Sequence, residues 1–239
     1  MRRGASHDAP ENTLASARLA WAQGADALEL DVHRTKDGEL VVAHDEDLPH
    51  VAGAPRRIDA STLAELQGFD VGRWKGAAFA GEKIPYLGEM LATVPARHRV
   101  FTEIKGGPEV VTALVRAVAR SEIPNEQIVV ITFDRLAARA AKQALPRCEA
   151  GWIIDAPRTW HEGALAAMLR MATDLRLDAL DFESSWPLDT ALVQQIHQFG
   201  FKVYAWTVDD PEVACRLAAA GVDGVTMNRP AWLREQLAG

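Results

Sequence analysis

The sequence predicts an α/β chain folded as a (β/α)8 TIM barrel, a parallel sheet closed on itself with a helix following each strand. Two observations carry this. Apolar runs rich in β-branched residues alternate with helical patterns of roughly ten to fifteen residues, the spacing of βαβ units. A unit of helix stop followed by buried strand also recurs: Gly24 precedes Ala25-Asp26-Ala27-Leu28, Gly221 precedes Val222-Asp223-Gly224-Val225, and Leu177-Asp178-Ala179-Leu180 matches both. Glycine is the natural left-handed cap in the first two.

Strands are expected at 27–33, 99–105, 127–133, 149–154, 178–183, 201–207 and 224–228. Asp134 is placed to cap the helix before Leu136, and Asp210-Pro211-Glu212 supplies an N-cap, a proline at the first helical position and an acidic first turn. Residues 39–44 form a further strand separated from 27–33 only by a turn containing Lys36-Asp37-Gly38. Parallel neighbours need a crossover of about a dozen residues, so this strand is an antiparallel hairpin arm, which sets His44 roughly opposite Asp31. An eighth stave must precede the helix after Pro10-Glu11-Asn12-Thr13, where only Met1 to Gly4 remain, so the first stave is shortened. Residues 45–85, interrupted by several glycines and prolines, read as an insertion over the open end, with a short helix near Ser61 to Leu66. The whole of 1–239 is expected to be one such domain.

Composition narrows the function. With 48% hydrophobic and 25% charged residues the chain matches an ordinary globule, and no apolar run approaches the length of a membrane span. A net charge of −7 argues against a general nucleic-acid binder, which needs a surplus of lysine and arginine. Cys148 and Cys215 lack any zinc or redox spacing and read as buried free thiols. The absence of a signal-peptide pattern points to the cytoplasm.

In Glu29-Leu30-Asp31-Val32-His33 a period of two puts Glu29, Asp31 and His33 on one face. Barrel strands are ordinarily apolar on both faces, so inward carboxylates need compensation, by a cation or by an internal salt-bridge network. Glu103 and Lys105 alternate in the same way near the C-terminal end of their strand, where barrel enzymes place their sites. Three carboxylates without cysteine favour a hard divalent cation, Mg²⁺ or Ca²⁺, over zinc. His44, beside Asp31, is then a candidate general acid or base.

Several segments resemble the glycerophosphodiester phosphodiesterase family: Arg3-Gly4-Ala5-Ser6, Ala9-Pro10-Glu11-Asn12-Thr13, Glu29-Leu30-Asp31-Val32, Thr35-Lys36-Asp37-Gly38 and Val42-Ala43-His44-Asp45. The likeness continues through Ile84-Pro85, Glu103-Ile104-Lys105, Trp206-Thr207-Val208-Asp209-Asp210-Pro211 and Gly221-Val222-Asp223-Gly224. The resemblance implies a phospholipase-C-like barrel hydrolysing small glycerophosphodiesters to sn-glycerol 3-phosphate and an alcohol. It further implies Glu29, Asp31 and Glu103 as metal ligands, His44 as the acid for the leaving alkoxide, Arg3 and Lys105 on the phosphate, and Trp206 on the glycerol side.

One position departs from the family pattern. Where the family begins His-Arg-Gly, this chain reads Arg2-Arg3-Gly4, and an arginine cannot accept a proton at neutral pH. A base relocated to His7 or His33, a misrepresented N-terminus, and a barrel that binds but turns over slowly are the competing explanations. A glycerophosphodiester or phosphate binding protein and a lysophospholipase-D-type enzyme are the alternatives to the phosphodiesterase. For the latter, Phe69, Val71, Trp74 and Phe79 could form an apolar rim. No function falls to His50, His98, His161 or His197.

Overall fold

A computed structural model of the chain describes residues 1–156 and 162–238; His161 lies outside the described residues. Ten strands are described: β1 (Ala27–Arg34), β2 (Leu40–Val42), β3 (Asp47–Leu48), β4 (Ala54–Arg57), β5 (Arg99–Ile104), β6 (Ile128–Thr132), β7 (Glu149–Ile154), β8 (Ala179–Glu183), β9 (Lys202–Trp206) and β10 (Gly224–Val225). The main sheet runs β10-β9-β8-β7-β6-β5-β1-β2, every neighbouring pair parallel except β1 with β2. Closure falls to the first residues. Arg2 N–H donates to the Met227 carbonyl at 2.8 Å on one side, and Glu29 N–H donates to the Met1 carbonyl at 2.8 Å on the other. The shortened stave therefore sits between β10 and β1, and the architecture is the expected (β/α)8 barrel.

The helices form where their ends are satisfied. Asp134 accepts from Leu136 and Ala137 N–H at 2.8 and 2.9 Å, and Asp210 accepts from Glu212 and Val213 N–H at 2.8 and 3.2 Å. Both stop signals hold, with Gly24 at φ +72° and Gly221 at φ +88°, conformations that cost a side-chain-bearing residue. Inward helix faces and outward strand faces make two apolar layers between sheet and helices, one around Leu28, Leu30, Leu114 and Ile128, the other around Leu180, Phe182, Ile196 and Leu217. The barrel interior is filled separately by Val129, Ile131 and Ile153, with Phe101 and Trp206 against them.

Cys148 is buried as expected, but Cys215 is exposed. Helix Pro211–Ala220 turns Ala214, Leu217 and Ala220 inward, which leaves the adjacent Cys215 on its solvent side. The insertion at 45–85 folds as the β3–β4 pair and short helices at Pro49–Ala52, Leu63–Leu66 and Ala77–Phe79. Its own core of Leu48, Ile58, Leu66, Val71 and Ile84 packs on Val41 and Ala43, with Phe69 partly buried against it. Trp74 alone of the four proposed rim residues is classed as exposed, at 39%.

At the end of the barrel where the strands begin, the interior is polar. Glu149 pairs with Arg99 at 2.6 Å and Lys202 at 2.7 Å, and accepts from the Tyr204 hydroxyl at 2.6 Å. Burial pushes the Glu149 carboxyl up, but hydrogen bonds from Lys202 and Tyr204 and the charge of Arg99 outweigh it and hold the group below its usual range. A depressed carboxylate stabilises the fold above its unfolded pKa and loses that contribution as pH falls through the folded one. Glu149→Gln should therefore lower the unfolding free energy by about 2 kcal/mol at neutral pH. In urea titrations the gap from wild type should narrow as the pH is lowered towards about 3.

Candidate metal centre and active site

At the opposite end, β1 and β5 lie in register, with Asp31 beside Glu103 and Glu29 beside Phe101. That register gathers Glu29, Asp31 and Glu103, each less than 9% exposed, so that one oxygen from each lies within 4.8 Å of the others. Lys105, at the end of the same strand, pairs with Asp31 at 3.0 Å and Glu103 at 2.5 Å. Asn12 Nδ2 donates to Asp31 at 2.9 Å.

The three carboxyls are held unequally. Burial, then the charges of Asp31 and Glu103, raises Glu29 to about 8, and burial and Asp31 raise Glu103 to about 7. Asp31 is also pushed up by burial, but Lys105, Arg3 and Asn12 together bring it below its usual value. Among the described residues Glu29 accepts one hydrogen bond, from Arg3 N–H at 3.0 Å, and has no ion pair.

That hydrogen bond depends on an unusual turn. Arg3 and Gly4 both take left-handed backbone conformations, at φ +51° and +79°. A Cβ on Gly4 would collide with the Ser16 side chain and lie 2.8 Å from its carbonyl carbon. Gly4→Ala should therefore cost at least about 1 kcal/mol of stability in chemical denaturation, and weaken divalent-cation binding by moving the Arg3 amide.

A cavity of about 120 Å³ opens on the cluster, lined by Arg2, Glu29, His44, Glu103, Lys105 and Thr226 on one side. Ile131, Phe133, Ile153, Asp181 and Trp206 line the rest. The expected Glu29, Glu103, Lys105, His44 and Trp206 thus meet in one place, and Asp31 lies directly behind them. His44 arrives one residue away from the expected pairing: Ala43 N–H donates to the Asp31 carbonyl at 3.0 Å, and His44 follows it. Its Nδ1 lies 2.7 Å from Asp45 Oδ1.

The other cations and histidines divide differently. Arg3 is placed against Glu11 at 3.1 Å and Asp31 at 3.2 Å, outside the cavity lining, while Arg2 reaches it. His7 is exposed and paired with Asp8, and His33 Nε2 meets the His44 carbonyl at 3.0 Å. Neither lines the cavity. The site residues that escaped the sequence reading include Asn12 as a partner of Asp31 and Asp181 as a cavity carboxyl. Asp181 carried a usable signal, acidic residues at alternate positions of a short strand, Asp181 and Glu183, the same pattern as Glu29 and Asp31.

The fold and site together define a (β/α)8 barrel with a buried acidic cluster at the C-terminal strand ends that could hold a metal ion. Residues 3–232 match the model of the glycerophosphoryl diester phosphodiesterase family, and the chain belongs to that family. It is 33% identical over 236 residues to a glycerophosphodiester phosphodiesterase of Caldanaerobacter subterraneus subsp. tengcongensis, covering 95% of this chain and 92% of the relative. A Bacillus subtilis glycerophosphodiester phosphodiesterase is 27% identical over 248 residues, covering 95% and 82% of the two chains. An Oleispira antarctica phosphodiesterase, solved in complex with the product sn-glycerol-3-phosphate, superposes with a TM-score of 0.86 at 29% identity, covering 100% of this chain and 95% of that one. Among the described residues no helix is long and apolar enough to cross a membrane.

The raised carboxyls make a signed prediction. Ionising a group whose folded pKa lies above its unfolded one costs stability, so the metal-free chain should lose stability as pH rises from about 4.5 towards about 8. A divalent cation that binds the ionised cluster should offset this loss. Thermal melts with and without millimolar Mg²⁺ or Ca²⁺ should show a larger upward shift at pH 8 than at pH 5.

Proposed function

We propose that this chain hydrolyses glycerophosphodiesters to sn-glycerol 3-phosphate and an alcohol, using a Mg²⁺ or Ca²⁺ ion held by Glu29, Asp31 and Glu103. The observation that carries the proposal is the convergence of these three buried carboxylates within 4.8 Å beside a cavity that also holds His44, Lys105 and Arg2. The donor set suits a hard cation, because it is all oxygen, and Glu29 lacks a cationic partner among the described residues. When bound, the ion supplies Lewis-acid stabilisation of charge developing on the phosphoryl oxygens.

The chain's own groups do the remaining work. Lys105 and Arg2 present fixed positive charge to the phosphate, Arg2 with a planar fork that matches its oxygens. With Nδ1–H donated to Asp45, His44 keeps Nε2 for the substrate and delivers a proton to the departing alkoxide, while Asp45 stabilises the imidazolium. Trp206 lines the organic side. Arg3 acts through its amide on Glu29 and its guanidinium on Asp31, orienting carboxylates. At the position from which the family's second histidine acts, Arg2 cannot take a proton, so the nucleophile is activated without that base and turnover is slow.

The test is release of sn-glycerol 3-phosphate from glycerophosphocholine with Mg²⁺ or Ca²⁺, and with EDTA as control. Wild type should show slow, EDTA-sensitive release. His44→Ala should lower kcat about a hundredfold or more, and Arg2→His should raise it at least about tenfold. No release by either wild type or Arg2→His, with metal binding intact, would instead identify a binding protein.

A further inference from the structure

The cavity has two unlike halves. Arg2, Glu29, His44, Glu103 and Lys105 make one half ionic, whereas Ile131, Phe133, Ile153 and Trp206 make the other apolar. Asp181 is the exception in the apolar half. It is 2% exposed, and its Oδ1 has no hydrogen-bond partner among the described residues. Its main-chain carbonyl, unlike its carboxyl Oδ1, is engaged: Trp206 Nε1 donates to it at 3.2 Å, which fixes the indole beside Asp181. On the flanking strands its register neighbours are Ile153 and Tyr204, and the Tyr204 hydroxyl is committed to Arg99 and Glu149 at the other end of the barrel.

A buried carboxyl without a partner is unfavourable, and such a group at a ligand cavity is completed by what binds there. Asp181 is buried at the cavity, beside Ile153 and the Trp206 indole, and has no ion pair among the described residues, so an arriving neutral donor suits it. A ligand whose phosphate lies on the ionic half must lay its organic portion over Trp206 and Ile153. To satisfy Asp181 that portion must offer a hydroxyl, and to pack on the indole it must offer C–H faces; a short polyol does both.

We propose that Asp181 is a specificity-determining residue that accepts a hydrogen bond from a hydroxyl of the substrate's polyol moiety, so that the site distinguishes a hydroxylated organophosphate from its deoxygenated analogue. This rests on the phosphodiesterase reading above and adds a residue to it. Asp181 contributes selectivity, and the ionic half contributes attachment of the phosphate.

Binding, not turnover, separates the two readings. Titration calorimetry with Mg²⁺ or Ca²⁺ present would compare sn-glycerol 3-phosphate with propyl phosphate, which has the same carbon chain without hydroxyls, in wild type, Asp181→Asn and Asp181→Leu. Wild type should prefer the glycerol compound. Asp181→Leu should weaken it roughly ten- to a hundredfold, as expected for losing a hydrogen bond to a buried carboxyl, with propyl phosphate changed less than about threefold. Asp181→Asn, which keeps an acceptor and nearly the same shape, should retain part of the preference and guard against misfolding of the leucine variant. Unchanged preference in Asp181→Leu, or equal loss for both ligands, would overturn the role of Asp181 while leaving the phosphodiesterase reading standing. A wild type that binds neither phosphate would overturn both.

Discussion

Like-charge repulsion inside the barrel is the constraint on which this structure turns. Parallel pairing of β1 with β5 brings Asp31 alongside Glu103, with Glu29 two residues earlier on β1, and the barrel buries all three. Such an arrangement is costly unless positive charge is supplied. The chain supplies part of it: Lys105 bridges Asp31 and Glu103, and Arg3 lies against Asp31. Among the described residues Glu29 is left with a single amide donor. The remaining negative charge is what a hard divalent cation would neutralise, so the packing that is costly in the free protein suits the proposed ion.

Much of the surrounding fold serves to hold that cluster still. The left-handed turn at Arg3 and Gly4 aims one amide at Glu29, and Asn12 fixes one oxygen of Asp31 from the loop before the first helix. Glu149, Arg99, Lys202 and Tyr204 tie β5, β7 and β9 together at the far end of the interior. The two polar clusters differ in purpose. At the closed end each charge has partners, which favours rigidity, while at the open end the partners are incomplete, which favours a ligand.

The barrel was legible in the sequence because its signals are local. β-branched runs, helix-stopping Gly24 and Gly221, and the capping Asp134 and Asp210 act within a few residues of where they stand. The acidic cluster was legible for a related reason: acidic residues at alternate positions of an apolar strand contradict the environment they enter. Long-range placement was harder to read. Nothing in the residues around Arg3 shows that Glu11 and Asp31 engage its guanidinium, or that Arg2 is the arginine lining the cavity. The hairpin was recognised from its short turn, but its register places Ala43, not His44, against Asp31. Cys215 was expected inside because free thiols usually are, yet helix phase puts it outside. Asp181 was overlooked although its alternation with Glu183 matched that of Glu29 with Asp31, because a carboxylate on a distant strand gains meaning only when closure of the barrel brings it to the same cavity.

The central claim is that Glu29, Asp31 and Glu103 form one cation site. Mn²⁺ shares the oxygen-ligand preference of Mg²⁺ and scatters anomalously, so crystals grown with it would locate the ion directly. The account predicts a single strong anomalous peak within coordination distance of all three carboxylates, lost in Glu29→Gln. A peak elsewhere, or none at the cluster despite occupied crystals, would show that the three carboxylates are an internal charge network and not a metal centre.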